Sequence, residues 1–299
     1  MLWPTVSVGC ARCRERLVRR FPWLCYNGFM EIREAMKGVG IVDFHCHAFP
    51  DAVAERALDA LLKTYGVQPR TDGTVAGLLA HMDKSCVEYA VVLPVATKPS
   101  QVTGINDWAA AQTNPRIVSF GGMHPDVEDI AAEIERMVSL GLPGIKIQAN
   151  WQGTYVDDKK MYPIYEASQG RLIISFHSGD ELTPVDLLMS TPRRLAKVHA
   201  DFPDLTMVAA HMGGYLMWDE VMQCLVGKNV YLDTSACFPE DLDDARFLDI
   251  IRRHGAQRIL FGTDMPFGDP LDDIPRLMTL GLTDDELQLI LGLNAQRLL

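Results

Sequence analysis

The chain has 299 residues, 48% of them hydrophobic and 22% charged, with a formal net charge of −11 and a pI of about 5.2. A chain of this size can bury a sizeable core, and its acidity argues against nucleic acid or an anionic membrane surface as partner. No apolar run reaches the roughly 18 residues of a transmembrane helix. The seven cysteines are scattered and odd in number, so a disulfide framework is not expected and a reducing, cytoplasmic location is.

Residues 1–36 differ from the rest, with six arginines against three glutamates. They contain a CxxC, Cys10 to Cys13, with Cys25 following. A structural zinc site needs four ligands and a redox CxxC a βαβ context; neither is present, so the pair reads as adventitious. The basic residues follow the first apolar stretch rather than precede it, unlike a signal peptide. Residues 1–36 are expected to be an N-terminal extension, either docked through Phe21, Trp23, Leu24 and Tyr26, or mobile, or a gene-start artefact ahead of Met30 or Met36. Residues 37–299 are expected to form one domain.

From residue 41 a short apolar run alternates with an amphipathic one. Strands are predicted at 41–45, 89–95, 117–123, 144–148, 171–177, 206–211, 229–235 and 258–264. Helices are predicted at 51–63, 74–85, 105–113, 126–140, 192–201, 215–225, 240–254 and 283–298. The strands are mostly continuous apolar runs, as in sheets buried on both faces. Eight strands alternating with helices predict an α/β fold, a single-domain (β/α)8 TIM barrel. An open doubly wound sheet would usually carry a glycine-rich loop after the first strand; here that place holds His45-Cys46-His47.

Function in such barrels sits at the carboxyl ends of the strands. Collected there are His45 and His47 (first strand), His124 (third), Lys146 and Gln148 (fourth), His177 (fifth), His211 (sixth) and Asp264 (eighth). Alternation puts His45 and His47 on one face of their strand and Phe44 and Cys46 on the other. Asp43 shares the histidines' face but lies deeper, and reads as a structural carboxylate. Five of the eight histidines terminate strands, while His81, His199 and His254 fall in helices and read as surface or packing residues. So many imidazoles and a carboxylate around one mouth would be costly without a partner, and they suit zinc and similar divalent ions.

These residues stand in motifs that resemble the amidohydrolase superfamily, in particular the amidohydrolase-related group that includes aminocarboxymuconate-semialdehyde decarboxylase. The motifs are Val42-Asp-Phe-His-Cys-His47, Gly144-Ile-Lys-Ile147, Ser175-Phe-His-Ser178, Ala210-His-Met-Gly-Gly214, Phe261-Gly-Thr-Asp-Met-Pro266 and Gly292-Leu-Asn-Ala-Gln-Arg-Leu-Leu299. The resemblance covers nearly all of 41–299. It implies one divalent metal per chain, zinc first, with manganese or iron as alternatives. His45, His47, His177 and Asp264 would be its ligands, and His211 would orient or deprotonate the water it activates. Lys146 is open to carboxylation, substrate contact or packing, with substrate contact preferred. Gln148, His124 and Trp151 are further candidates for substrate contact. The missing strand-four glutamate argues against a nuclease.

Such a site serves hydrolysis of an amide, lactone or ester, or non-oxidative decarboxylation of an unsaturated or aromatic carboxylate. The reading leans to a metal-dependent hydrolase, because no arginine pair stands at the first two strand ends to clamp a dicarboxylate; Arg70 is the nearest, in a loop. A carboxy-lyase is the runner-up. A non-catalytic metal- or ligand-binding barrel is the third reading, and the pair His211 and Asp264 argues against it. The expected partner is a small-molecule substrate. A homodimer stays open, since relatives often dimerise.

Overall fold

The computed structural model describes residues 35–36 and 38–299. The Cys10–Cys13 pair, Cys25, the docking aromatics and Met30 lie outside the described residues. Met36 is buried in the main core.

Among the described residues nine short strands run in chain order: β1 (Ile41–Cys46), β2 (Val87–Val92), β3 (Ile117–Ser119), β4 (Gly121–Gly122), β5 (Gly144–Ile147), β6 (Ile173–Phe176), β7 (Met207–Ala209), β8 (Tyr231–Asp233) and β9 (Ile259–Leu260). Each pairs in parallel with its neighbours, in one run β1-β2-β3 and another β4 to β9. β3 and β4 are one barrel strand interrupted at Phe120, whose N–H still donates to the Val92 carbonyl (2.9 Å). The two ends of the sheet meet, as Phe44 N–H donates to Phe261 O (2.8 Å), Asp264 N–H to His45 O (2.9 Å) and His47 N–H to Met265 O (2.6 Å). The sheet is therefore a closed eight-stranded parallel barrel with helices outside, as the periodicity predicts.

Two apolar clusters divide the wall. The larger lies between strands and helices and includes Ile41, Cys46, Val92, Ile145, Ile147, Phe176 and Phe261. The smaller joins Val42, Phe44, Tyr89, Val91, Leu93, Phe120, Ile173, Val208 and Leu260. Residues from that many strands around the ring meet only inside it, so this cluster plugs the barrel. Strict alternation thus fails in β1: Phe44 goes inward and Cys46 outward, because the pairing with β2 slips between Asp43 and Cys46.

Helices begin where a side chain satisfies their free N–H groups. Thr74 caps α2 (Val75–Ser85), accepting from Gly77 N–H at 2.9 Å, after the longer α1 (Asp51–Tyr65). Asp129 accepts from Ala132 N–H (2.9 Å), so the helix predicted from 126 runs Ile130–Ser139. The predicted helix 283–298 is Asp284–Gln288, a π turn at Leu289–Leu293, then Asn294–Leu298. No helix among the described residues is long and apolar enough to cross a membrane.

Candidate metal centre

The first strand, the chain after the last strand and their neighbours build the centre. Close approach is possible there because residue 262 is glycine: a Cβ on Gly262 would lie 2.8 Å from the His45 Cβ. Asp264 and His211 take left-handed backbone conformations (φ 67° and 58°), which for non-glycine residues costs on the order of 1–3 kcal/mol and persists where surrounding structure enforces it.

Two hydrogen bonds fix the histidine tautomers. His47 Nδ1 lies 2.8 Å from the Leu93 carbonyl, which only accepts, so Nδ1 carries the proton. His45 Nδ1 donates to Asp233 Oδ2 at 2.9 Å. Burial by itself would raise Asp233, yet His45 beside it holds this carboxyl well below the usual range. Both Nε2 atoms are therefore bare acceptors, and they face each other at 3.2 Å. Asp264 Oδ1 lies 3.1 Å from His47 Nε2 and 3.4 Å from His45 Nε2. Burial opposes ionisation of Asp264 as well, but the surrounding histidines hold it well below the carboxylate range. Three lone-pair atoms converge on one point, an arrangement that a divalent cation satisfies.

Next to this trio lies a chain of hydrogen bonds. His211 Nδ1 donates to the Ser235 carbonyl (3.2 Å), leaving Nε2 to accept from His177 Nδ1 (3.1 Å). His177 Nε2 is then unprotonated, buried and without a hydrogen-bond partner, 3.3 Å from Glu181 Oε1. Burial pushes His45, His177 and His211 below the usual imidazole value, His211 furthest, with His177 beside it adding to the effect. Neutral imidazoles are the form that ligates metal. Asp233 Oδ1 accepts from the N–H groups of His211 (3.1 Å) and Ser235 (3.0 Å) and from the Ser235 hydroxyl. Although His45, His211 and Asp233 also cluster within 4.8 Å, Asp233 already accepts from His45 Nδ1 and from the His211 backbone N–H, so this second group positions the first.

The remaining sequence candidates separate. His177 stands against His211 and Glu181, not in the tight trio of His45, His47 and Asp264. Lys146 is buried with Nζ 3.1 Å from His45 Nε2, and burial lowers its pKa from 10.5 to about 8. Gln148 is buried and donates to Glu181 Oε1 (3.2 Å). His124 organises its own turn, its Nδ1 accepting from Asp126 N–H (3.2 Å). Trp151, 41% exposed, stacks on Tyr65 at 6.4 Å between centroids and donates to its hydroxyl (3.0 Å). Asp43 accepts from Thr263 Oγ1 (2.6 Å) and from the backbone of Thr263 and His45. It ties β1 to the chain beyond β9, the structural role expected of it. His81 and His254 are buried, bonded to Asp269 (2.9 Å) and the Val230 carbonyl (2.8 Å).

Sequence reasoning passed over Asp233, Ser235 and Glu181. The first two were visible as polar residues closing an apolar strand, Tyr231-Leu-Asp-Thr-Ser235. Glu181 sits in a loop with no periodic signal.

Residues 42–299 match the amidohydrolase family, and the chain belongs to it. Comparison with curated protein sequences gives no match. Among solved structures, the chain is similar to 5-carboxyvanillate decarboxylase from Sphingomonas paucimobilis, at 18% identity and a TM-score of 0.64 over 87% of this chain and 98% of that one. It is similar to an uncharacterised TIM-barrel protein from Bordetella bronchiseptica, at 20% identity and a TM-score of 0.67 over 87% and 98%. It is also similar to a dihydroxybenzoic acid decarboxylase from a Polaromonas species, with bound manganese and the inhibitor 2-nitroresorcinol, at 18% identity and a TM-score of 0.65 over 87% and 96%. At these identities the likeness establishes the barrel.

Proposed function

We propose that this member of the amidohydrolase family is a metal-dependent, non-oxidative decarboxylase of a small aromatic or unsaturated carboxylate. The observation that carries the reading is Lys146, a cationic side chain buried inside the barrel and 3.1 Å from a metal-type histidine. Hydrolysis needs no such group, whereas a carboxylate substrate does. The absence of an arginine pair, which favours hydrolysis in the sequence, excludes only a clamped dicarboxylate: one lysine serves a monocarboxylate. Arg70 is drawn away, within 3.4 Å of Asp272. The similar structures named as decarboxylases, one with manganese, support the same reading and leave the metal open between manganese and zinc.

His45, His47 and Asp264 would hold the metal, with His177 alongside. A divalent ion there would supply positive charge against the negative charge that develops on the substrate. Lys146 would bind and orient the substrate carboxylate. His211 would hand on the proton that the reaction consumes, with the carboxylate of Asp264 near it. One proton moves to the ring or alkene carbon, the bond from that carbon to the carboxylate breaks, and CO2 leaves. Asp233 and the Leu93 carbonyl keep the imidazoles in the ligating tautomer. Among the described residues Cys46, Cys224 and Cys237 are free thiols, which supports a reducing cytoplasm as the expected compartment.

The test is metal analysis of the purified protein, then a screen of hydroxybenzoates, enol carboxylates, lactones and amides, followed by CO2 release and by acid production. About one metal per chain with CO2 release supports decarboxylation. Acid production from lactones or amides without CO2 would return the reading to hydrolase. Protein that retains no metal under any loading condition would remove both.

A further inference from the structure

A ligand that meets Lys146 must pass a nearly closed surface: Lys146 is 2% exposed, His45 1% and Gln148 5%. A bridge between three segments stands at this mouth. Tyr65, the last residue of α1, meets Trp151 from the turn after β5 and Glu181 from the loop after β6. The Tyr65 hydroxyl is their common point, accepting from Trp151 Nε1 (3.0 Å) and donating to Glu181 Oε2 at a long 3.3 Å. The Tyr65 and Trp151 rings lie nearly parallel (17°), with centroids 6.4 Å apart. Burial first, then Glu181, pushes the Tyr65 hydroxyl upward in pKa, and the charge of Asp264 adds to this, so Tyr65 stays protonated and stands close to the metal centre.

The two halves of the bridge are fixed unequally. Glu181 Oε1 accepts from Gln148 Nε2 (3.2 Å) and Asn150 Nδ2 (2.9 Å). Asn150 Oδ1 in turn accepts from Met189 N–H (2.8 Å), and Gly179 N–H donates to Ser190 O (2.8 Å), so the loop that carries Glu181 is pinned at both ends. Trp151, by contrast, is 41% exposed and rests on Tyr65 through one hydrogen bond and one ring pair. Contacts of that kind each shift an equilibrium by about tenfold or less. Both partners also stand on short or terminal helix: Tyr65 closes α1 just before Gly66, whose backbone is left-handed (φ 72°), and Trp151 lies in the four-residue helix Ala149–Gln152. Such places open locally at low cost.

We infer that Tyr65 and Trp151 form a gate over Lys146. Closed, the Tyr65 hydroxyl joins Trp151 to Glu181. Open, that hydroxyl leaves Glu181 and the ring pair moves off the mouth, while Glu181, Gln148 and Asn150 stay as its fixed edge. The gate rests on Lys146 as the substrate contact proposed above and on no particular reaction, since a substrate that loses CO2 and one that takes up water must both pass it.

The experiment reads access to Lys146 in the metal-loaded protein, as rates of modification followed by mass spectrometry. The bulky reagent is trinitrobenzenesulfonate and the small reference is cyanate. Burial lowers Lys146 from 10.5 to about 8, so at about pH 8.5 its amine is largely free to react. In the unaltered protein the bulky reagent, relative to cyanate, should modify Lys146 at least about tenfold more slowly than the exposed Lys63. Tyr65→Phe removes the hydroxyl that joins both partners, and Trp151→Ala removes the outer ring. Either should raise the bulky-reagent rate at Lys146 by roughly threefold to tenfold, with the cyanate rate and Lys63 unchanged. Modification of Lys146 as ready as that of Lys63 in the unaltered protein overturns the inference, with no variant required. So does a bulky-reagent rate that rises in neither variant, or one that rises only in step with cyanate. The readout needs no turnover, so the gate and the decarboxylase reading succeed or fail separately.

Discussion

The interior of this barrel has two storeys built by the same strands. The lower is apolar: Phe44 meets Phe120 edge to face at 5.7 Å, among Val42, Val91, Leu93 and Leu260. The upper holds histidines, two aspartates and a lysine, most of them buried. Burial stabilises the first and opposes the second. Two of the upper residues, His211 and Asp264, also sit on left-handed backbone. A closed wall can carry such a costly layer because the layer beneath it is ordinary packed hydrocarbon, and stability and chemistry are thereby separated by a few residues along each strand.

Substitutions in the two storeys should have opposite signatures, beginning with the largest. Asp264→Asn should lower turnover by roughly 10³–10⁴ and abolish stoichiometric metal, measured by elemental analysis and steady-state rates. A variant that kept both would break the assignment of the upper layer. Phe120→Ala should destabilise by about 3–5 kcal/mol in chemical denaturation, while its metal content below the transition stays that of the parent. Lys146→Met should do the reverse of a core deletion and stabilise the metal-free protein at neutral pH. Lowering Lys146 from 10.5 to about 8 is worth on the order of 3 kcal/mol. Between pH 8 and 10.5 the unfolded chain binds this proton and the folded chain does not, so the parent gains stability as pH rises. The penalty is thus complete below pH 8 and gone above 10.5, and the variant's advantage should close across that window. Parallel stability curves for the two proteins would contradict it. Smallest is Asp233→Asn, expected to weaken metal affinity by about 10–100-fold with turnover recovered at saturating metal. Loss that excess metal does not restore would make Asp233 more than a positioning residue.

The layered plan was legible because buried parallel strands leave continuous apolar runs, and polar residues interrupt those runs only at one end. His45, His47, His211, Asp264 and Lys146 were all found that way. What escaped had a local cause in each instance. The slip in pairing between Asp43 and Cys46 reverses the face expected for Phe44, and no single-strand pattern reports a slip set by the partner strand. His124 ends a strand like the others but spends its Nδ1 on Asp126, a short-range competition that residue type alone conceals. Glu181 comes from a loop and gains meaning only through Gln148, Asn150 and Tyr65, which two other segments deliver. Arg70 looked available until Asp272 proved to be its neighbour.

The seam between β1 and the chain beyond β9 has a consequence in time. Asp43 and Thr263, which clasp it, are 220 residues apart, and His45 and Asp264 meet across the same join. Ring closure and completion of the ligand trio are thus one event, dependent on contacts of large sequence separation, which form late because loop closure must come first. A chain emerging from synthesis would carry His45 and His47 almost from the start, yet have no Asp264 to complete the trio until its last strand is made and seated. Uptake of the ion would then mark the finished ring, guarding the half-made enzyme against premature capture of metal.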